Sequence, residues 1–314
     1  MAFGMGINAV MHAVMESAYG TTPASGFRKL PFVSHSMGEE RPLIEDDQLG
    51  FGREGLDPAY DVATNDGDIV VPVDLHAIGF WLRGLFGAPT TTGSGPYTHA
   101  FQSGAAALPS HSIEIGTPEV PAFSVHYGAV VNQLRIAMAR SGMLNATVSL
   151  IAQGESAQSG ASVAGTPLNL QAARFAQATG VIKRAGVALG NIVSADLSIS
   201  NSLDKVEVIR PDGRIGGVVP GVVQAALRIT ARFDSLDLLN AATDGTPVNL
   251  DEIGWISGTS SLKFALPRVF LPRGKRPITG PGGILQDFNC QAAAAVGGHK
   301  VSATLINSVT NYSA

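Results

Sequence analysis

The hydrophobic pattern between Asp68 and Pro89 predicts a strand that runs directly into a helix. Ile69, Val71 and Val73 lie at every second position, which is the period of a strand with one buried face. Asp74 follows, and its short carboxylate side chain can accept hydrogen bonds from the first free backbone N–H groups of a helix. Because they fall at helical spacing, five residues form the predicted apolar stripe that packs on the sheet: Leu75, Ile78, Trp81, Leu82 and Leu85.

The same pattern recurs 160 residues later in the chain. The strand predicted from Val223 to Phe233 alternates apolar and polar residues throughout, and Asp234 follows it as a second potential helix cap. Each predicted helix ends at a Gly-x-Pro sequence, which begins at Gly87 in the first copy and at Gly245 in the second. The core stripe of the second helix includes Leu236 and Leu239. We interpret the two stretches as copies of one unit.

Three shorter matches keep the same order along the chain. They pair 32–34 with 192–194 at an offset of 160, 113–120 with 262–269 at 149, and 144–148 with 301–305 at 157. A period of about 155 residues indicates a duplicated domain, because solenoid repeats are much shorter. An Ala/Ser/Gly/Gln-rich stretch without a long strand pattern separates the copies. The predicted organisation is a first unit at 1–155, a linker at 156–180 and a second unit at 181–314.

Each unit contains a long polar connection between two predicted strands. The connection from Glu39 to Asp66 is far longer than the usual loop of about 4–6 residues, so we expect an extended hairpin that reaches away from the body. Asp204 to Gly221 is its charged counterpart. A solvated loop and an arm that contacts a neighbouring subunit are both compatible with this pattern. The residues expected to contact other subunits are Glu40, Arg41, Leu43, Asp46, Leu49, Phe51, Arg53, Asp204, Arg210 and Arg214.

Composition and charge exclude several classes of protein. Only 15% of the 314 residues are charged, against roughly 25% in typical soluble domains, and charge is depleted where subunits cover one another. A β-rich chain with a Ser/Thr surface is the alternative explanation. The net charge of −4 argues against a basic surface that binds nucleic acid. We expect no membrane span, no signal peptide and no internal disulfide, since Cys290 is the only cysteine.

No catalytic or metal-binding constellation is present in the sequence. The chain lacks a Gly-x-Ser-x-Gly elbow, a His-Glu-x-x-His motif and a Walker A motif. The seven histidines are scattered, and His111 and Glu114 would point to opposite faces of a strand. Cys290 lies in an alternating run and is expected to be a small buried residue. We therefore expect no enzymatic activity, no cofactor and no metal.

Three stretches resemble the tail tube proteins (major tail proteins) of tailed bacteriophages. They are Ala18-Tyr19-Gly20-Thr21-Thr22-Pro23-Ala24 near the start, the run from Leu197 to Leu203, and the block from Phe264 to Val269. The resemblance extends over nearly the whole chain in order. It implies a mainly β fold of two tandem β-sandwich or barrel units, each with a flanking α-helix. It also implies a structural virion protein without catalytic residues.

The resemblance further implies rings that stack into a hollow tube through which double-stranded DNA passes without specific binding. If related tubes build rings of six domains, a chain with two copies forms a trimeric ring with pseudo-sixfold symmetry, and a hexamer of chains is the alternative. The expected partners are further copies of the chain and the tape measure, tail tip and terminator proteins. We expect assembly in the cytoplasm of the host bacterium and a final location in the virion tail.

Two other functions share part of this pattern. A tube component of a contractile or type VI-like secretion apparatus would have the same fold and assembly but a protein cargo. A carbohydrate-binding or hydrolytic β-sandwich belongs to a different class and would need paired carboxylates at the mouth of a cleft. Low charge, duplication and the missing catalytic set argue against the second alternative.

Overall fold

Strands dominate the structure, because apolar and polar residues alternate along most of the chain. The computed structural model describes residues 3–50, 52–233, 237–275, 278, 280, 282–295 and 297–312. The two helices of these ranges are α1 (Ile78–Phe86) and α2 (Asp237–Asp244). The strands are β1 (Val10–Met15), β2 (Arg28–Lys29), β3 (Ser34–His35), β4 (Glu39–Glu40), β5 (Leu43–Ile44), β6 (Ala59–Tyr60), β7 (Thr64–Pro72), β8 (Thr90–Thr92), β9 (Tyr97–Gln102), β10 (His111–Thr117), β11 (Ala122–Met138), β12 (Asn145–Ala152), β13 (Gly154–Glu155), β14 (Leu168–Asn169), β15 (Val181–Arg184), β16 (Val187–Ala188), β17 (Ile192–Ser200), β18 (Asp204–Val206), β19 (Gly217–Val219), β20 (Gln224–Arg232), β21 (Val248–Ser257), β22 (Ser260–Phe270), β23 (Leu285–Ala292) and β24 (Ser302–Asn307). The prediction of a mainly β fold is confirmed.

Sheet 1 is antiparallel and takes strands from both predicted units, in the order β3/β4, β7, β12, β11, β17, β20 and β23. Its centre is the pairing of 133–138 in β11 with 195–200 in β17, which joins the first half of the chain to the second. One face is apolar: in successive strands Ile69, Val148, Leu134, Leu197 and Ile229 are each at most 1% exposed. The opposite face carries the polar residues of the alternation.

Two further sheets complete the core. Sheet 2 consists of β8, β9, β24, β22, β21, β15 and β16. Sheet 3 consists of β14, β2, β1, β10, the first half of β11 and β13, so that β11 belongs to two sheets. A single hydrophobic cluster includes residues of both halves, from Met11 to Tyr312. The two predicted units thus share one core.

Helix α1 lies in that core, as its apolar stripe requires. Ile78, Trp81, Leu82 and Leu85 are at most 1% exposed, whereas Leu75 precedes the helix and is half-buried. The Asp74 carboxylate accepts hydrogen bonds from the N–H groups of residues 76 and 77 at 2.8 Å. It therefore caps the turn before the helix, which begins four residues later at residue 78. Gly87 ends the helix at φ 86°, a conformation that glycine adopts without strain.

The second strand–helix stretch is described in part. In β20, alternate residues from Ala225 to Ala231 are buried, as the pattern predicts. Asp234 and Leu236 lie outside the described residues. In α2, Leu238, Ala241 and Ala242 are buried and Leu239 is only half-buried, so the buried face is centred beside the predicted Leu239.

Six antiparallel strand pairings in the first half of the chain recur in the second half with the same register. Four pairs each have one counterpart: β1/β10 corresponds to β15/β21, β10/β11 to β21/β22, β11/β12 to β22/β23, and β12/β7 to β23/β20. The two short pairs β7/β3 and β7/β4 both correspond to parts of the single pair β20/β17. Matching partner positions are Val10–Gly116 with Val181–Gly254, Ile115–Ser124 with Ile253–Phe264, Val130–Ile151 with Phe270–Gln291, Val148–Ile69 with Phe288–Ile229, Ser34–Val70 with Ser194–Thr230, and Glu40–Thr64 with Ser200–Gln224.

The register agrees with one sequence offset and differs from two. The offset of 160 aligns β3 with β17 and β7 with β20, as the pairings do. The offset of 149 aligns β10 with β22, and that of 157 aligns β12 with β24, whereas the pairings align β10 with β21 and β12 with β23. Short alternating strands resemble one another in sequence, so five or eight residues do not decide which strand matches which.

The predicted linker at 156–180 lies against the first half of the chain. Its β14 pairs with β2, and the N–H of Phe175 donates to the carbonyl of Val73 at 3.0 Å. Phe175 is fully buried, and the Ala173 N–H donates to the Asp74 carboxylate at 2.7 Å. This stretch contains no long strand, but its contacts hold it in one place.

Candidate assembly surfaces

Two exposed hairpins project from the same end of sheet 1. The first lies in the connection from Glu39 to Asp66, where β5 pairs with β6. The second lies between Asp204 and Gly221, where β18 pairs with β19. Both carry fully exposed apolar side chains, with Leu49 95% exposed in the first hairpin and Ile209 106% exposed in the second. Each hairpin carries further exposed apolar residues, among them Leu43, Ile44 and Tyr60 in the first and Val206 and Val208 in the second. Exposed apolar residues that lie together are typical of surfaces that bind another protein.

An ion pair joins the bases of the two hairpins. The Arg214 guanidinium donates to both carboxylate oxygens of Glu39, at 2.8 and 3.0 Å, and to the backbone carbonyl of Glu155 at 3.3 Å. The guanidinium also lies over the Tyr127 ring, 5.6 Å from its centroid. Since the pair is bidentate and mostly buried, it holds the second hairpin in a fixed orientation against the first.

Further contacts surround this ion pair. Glu39 and Glu155 exchange hydrogen bonds, each backbone N–H donating to the other carboxylate at 2.9 Å. Burial alone would raise the pKa of the Glu39 carboxyl, but the Glu155 N–H and the Arg214 guanidinium together hold that pKa below its ordinary value. Arg41 donates to Glu39 at 3.1 Å and to the carbonyl of Asp212 at 3.0 Å.

The second hairpin also carries a local ion pair near its tip. Arg210 donates two hydrogen bonds to the Asp212 carboxylate, at 3.0 and 2.9 Å, and lowers the pKa of Asp212 to about 2. The side chain of Lys205 pairs with Asp66 at the base of the first hairpin. These contacts leave the apolar tips free while the charged bases pair with one another.

The polar face of sheet 1 is a second candidate surface. Across the central seam, the Arg135 guanidinium forms a bidentate pair with the Asp196 carboxylate: Nε donates to Oδ1 at 2.8 Å, and the terminal NH2 group donates to Oδ2 at 2.5 Å. Asp287 accepts from Thr230 at 2.6 Å and from Arg228 at 3.0 Å, and these two contacts lower its pKa. The other residues on this face of sheet 1 are mostly uncharged and polar. Among them are Ser34, Gln133, Thr147, Ser149, Ser198, Asn289 and Gln291.

A comparison with models of protein families matches residues 6–292 to the family described as phage tail tube protein. The chain belongs to the phage tail tube protein family. No curated protein sequence matches the chain. Proteins of this family assemble with one another and with other tail proteins into the tail tube. The tail tube chain therefore has a structural role in the virion tail.

The described ranges of the tail tube chain show no cluster of side chains suited to metal binding. No group of three or more His, Cys, Asp or Glu side chains in those ranges could hold a metal ion. His111 and Glu114 are both buried, but each has a different partner. His111 Nδ1 donates to the carbonyl oxygen of Ala129 in β11 at 3.0 Å, and the Glu114 carboxylate contacts His12 Nδ1 at 2.8 Å. No helix among the described residues is long and apolar enough to cross a membrane.

The predicted contact residues divide between the two hairpins of the tail tube chain. Phe51 lies outside the described residues. Arg210 pairs with Asp212, and Arg214 pairs with Glu39 of the same chain. The sequence pattern does not reveal the second pair, because Arg214 and Glu39 are 175 residues apart. The missed residues Glu39, Glu155 and Asp212 carry only a weak signal, the Pro-Asp-Gly turn that contains Asp212. Exposed positions in the first hairpin are Glu40, Arg41, Leu43, Leu49 and Arg53; Asp46 is half-buried, and Asp204 is exposed in the second.

Proposed function

We propose that this tail tube chain assembles into rings, that the rings stack into the tail tube, and that double-stranded DNA leaves the capsid through it. The family match over residues 6–292 supports the assembly. The exposed hairpins support stacking, since both leave the same end of sheet 1 with unpaired apolar tips. The proposed partners are further copies of the chain and the tape measure, tail tip and terminator proteins, with assembly in the host cytoplasm.

Three chains form one ring in this proposal. The supporting observation is the recurrence of six strand pairings with an unchanged register, which is what a duplicated unit produces. The pairing of β11 with β17 already joins the two copies side by side. A ring of three chains would then repeat one kind of contact six times, three within chains and three between them.

The polar face of sheet 1 is the proposed channel wall. Duplex DNA carries one charge per roughly 1.7 Å, and unpaired Lys or Arg side chains would bind it by releasing counterions. On this face Arg135 and Arg228 are each paired with an aspartate of the same chain. Among the residues in the strands of this face, acids outnumber arginines, namely Glu40, Asp66, Asp68, Asp196 and Asp287 against Arg135, Arg228 and Arg232. Such a wall lets DNA slide.

Electron microscopy of the purified protein tests the assembly directly. The wild-type chain is expected to form hollow tubes, and a chain that stays monomeric at high concentration would contradict the proposal. Deleting residues 45–60 is expected to leave a folded subunit that no longer forms long tubes, because the described residues of that range are mostly exposed and only the short β5/β6 pairing is lost. Circular dichroism serves as the control for folding. Tubes of normal length from this variant would refute the stacking role.

A further inference from the structure

The pairing of β11 with β17, which joins the two halves of the chain, corresponds to a pairing that one chain alone does not make. In the middle of sheet 1, β11 pairs with β12 on one side and with β17 on the other. The matching strand β22 pairs with β23 only at Val269 and Phe270. At the opposite edge of the sheet, β3 and β4 pair with β7, and their other side has no strand among the described residues. Each end of the sheet therefore has an open edge.

Because the two halves of the chain share one pairing register, the pairing of β11 with β17 predicts which residues would lie opposite each other if these two edges paired between chains. Residues of β11 correspond to residues 140 positions later, since Val130–Ile151 matches Phe270–Gln291. Residues of β17 correspond to residues 160 positions earlier, since Ser200–Gln224 matches Glu40–Thr64. The internal pair Gln133–Ser200 then corresponds to Arg273 of one copy opposite Glu40 of the next.

The residues at these positions fit that pairing. Register shifts at Asn132 in β11, and the corresponding position is Pro272; proline lacks the N–H of a ladder and is tolerated at such a bulge. With the bulge retained, Leu271 lies on the apolar face, where it is buried, and the exposed residues Arg273 and Lys275 lie on the polar face. The alternation of the first copy is thereby kept.

Charge complementarity gives a second, independent argument. Glu40 and Arg273 are exposed, and neither has an ion-pair partner within the described part of the chain. The internal seam carries the Arg135–Asp196 pair at neighbouring positions on the same face. Opposite charges directly across an antiparallel pair stabilise it, and like charges destabilise it.

An open groove of about 660 Å³, lined in part by Lys275, Ile278 and Leu285, lies beside the edge of β23.

We propose that the ring closes by pairing residues 273–275 with the β3/β4 edge of a second copy of this chain, with Arg273 opposite Glu40. The segment takes the place that β11 has within the chain, and the edge takes the place of β17. This inference rests on the proposed ring and adds its register: Gly274 lies opposite Glu39 and Lys275 opposite Gly38. The contact turns the open sheet of each chain into part of a closed wall.

Cysteine cross-linking tests the register. A chain with both Glu40→Cys and Arg273→Cys is expected to form covalent dimers and closed trimers on mild oxidation of assembled tubes. Each single variant controls for cross-links through Cys290, which is buried. The pair Gln133→Cys with Ser200→Cys is the matched internal control and is expected to form a disulfide within one chain. The pair Glu40→Cys with Pro272→Cys reports a register without the bulge.

The outcomes distinguish a failure of the proposed pairing between chains from a failure of the proposed assembly into tubes. Tubes that form normally, with a disulfide at the internal control but none at Glu40 and Arg273, would overturn the seam and leave the tube proposal intact. A cross-link only at the Pro272 pair would overturn the register. A wild-type chain that forms no tubes would overturn both proposals. In a second test, Glu40→Arg and Arg273→Glu are each expected to block ring closure, and their combination is expected to restore it.

Discussion

The ion pair between Arg214 and Glu39 provides the most detailed prediction about stability, because it joins the two hairpins. Replacing Arg214 by alanine removes two charge-assisted hydrogen bonds, at 2.8 and 3.0 Å, and a longer one to the Glu155 carbonyl. A hydrogen bond to a charged group is worth about 1.5–3 kcal/mol. Since the two side chains are 18% and 13% exposed, solvent screening and the remaining contact from Arg41 reduce the sum. The expected loss in the free energy of unfolding is about 2–3 kcal/mol.

The assay is urea denaturation of unassembled subunits at several pH values. Arg214→Lys is the matched control: it keeps the charge, loses the bidentate geometry and is expected to show a smaller loss. The pKa of Glu39 is lowered in the folded chain, so its contribution to stability is complete above the unfolded pKa of about 4.3 and is lost as the pH falls through the folded value. The difference between wild type and Arg214→Ala should therefore narrow on acidification. Equal stability at pH 7, or a difference that stays constant down to pH 3, would refute the reasoning.

Three other substitutions or treatments test the core. Gly79→Ala would place a methyl group 2.1 Å from the buried Tyr312 ring and is expected to cost about 1–3 kcal/mol; Gly190→Ala, where no atom lies within 4 Å, is the control, and equal melting temperatures would contradict the packing. Asn201→Ala leaves two backbone carbonyls without the donors that now lie 3.0 and 3.1 Å away; a loss of about 1–3 kcal/mol and faster amide exchange in β17 are expected, and unchanged exchange would count against it. The Cys290 thiol is buried and its pKa is raised to about 12 by that burial, so a thiol reagent is expected to react only after unfolding, and rapid labelling of the folded chain would contradict this.

The strand–helix stretch was predictable from sequence because its pattern is local. Alternation in β7 and β20 fixed which residues face the core, and Gly87 marked the end of α1. The sequence pattern places the start of that helix several residues too early, because Asp74 caps a turn before the helix and also accepts a hydrogen bond from the distant Ala173. The helix propensity of the residues around Asp74 contains no information about a contact with a residue so far away in the sequence.

Pairings between distant strands were harder to predict. The offset of 160 found two matching strands, but the later offsets chose the wrong neighbours, since β21, β22, β23 and β24 all alternate in the same way. The hairpin was predicted from its length and charge. Its ion pair with Arg214 was not, because a carboxylate and a guanidinium in two polar connections carry no signal of which acid meets which base.

The rotational symmetry of the assembled tube tests the central claim most directly. Images of tubes from the purified chain are expected to show three chains per ring with an approximate sixfold repeat of density. The mass of an isolated ring should be about 97 kDa, three times the 32.4 kDa of one chain. Six chains per ring, at about 194 kDa on the same chain mass, would contradict the claim that each chain supplies two adjacent units of the wall.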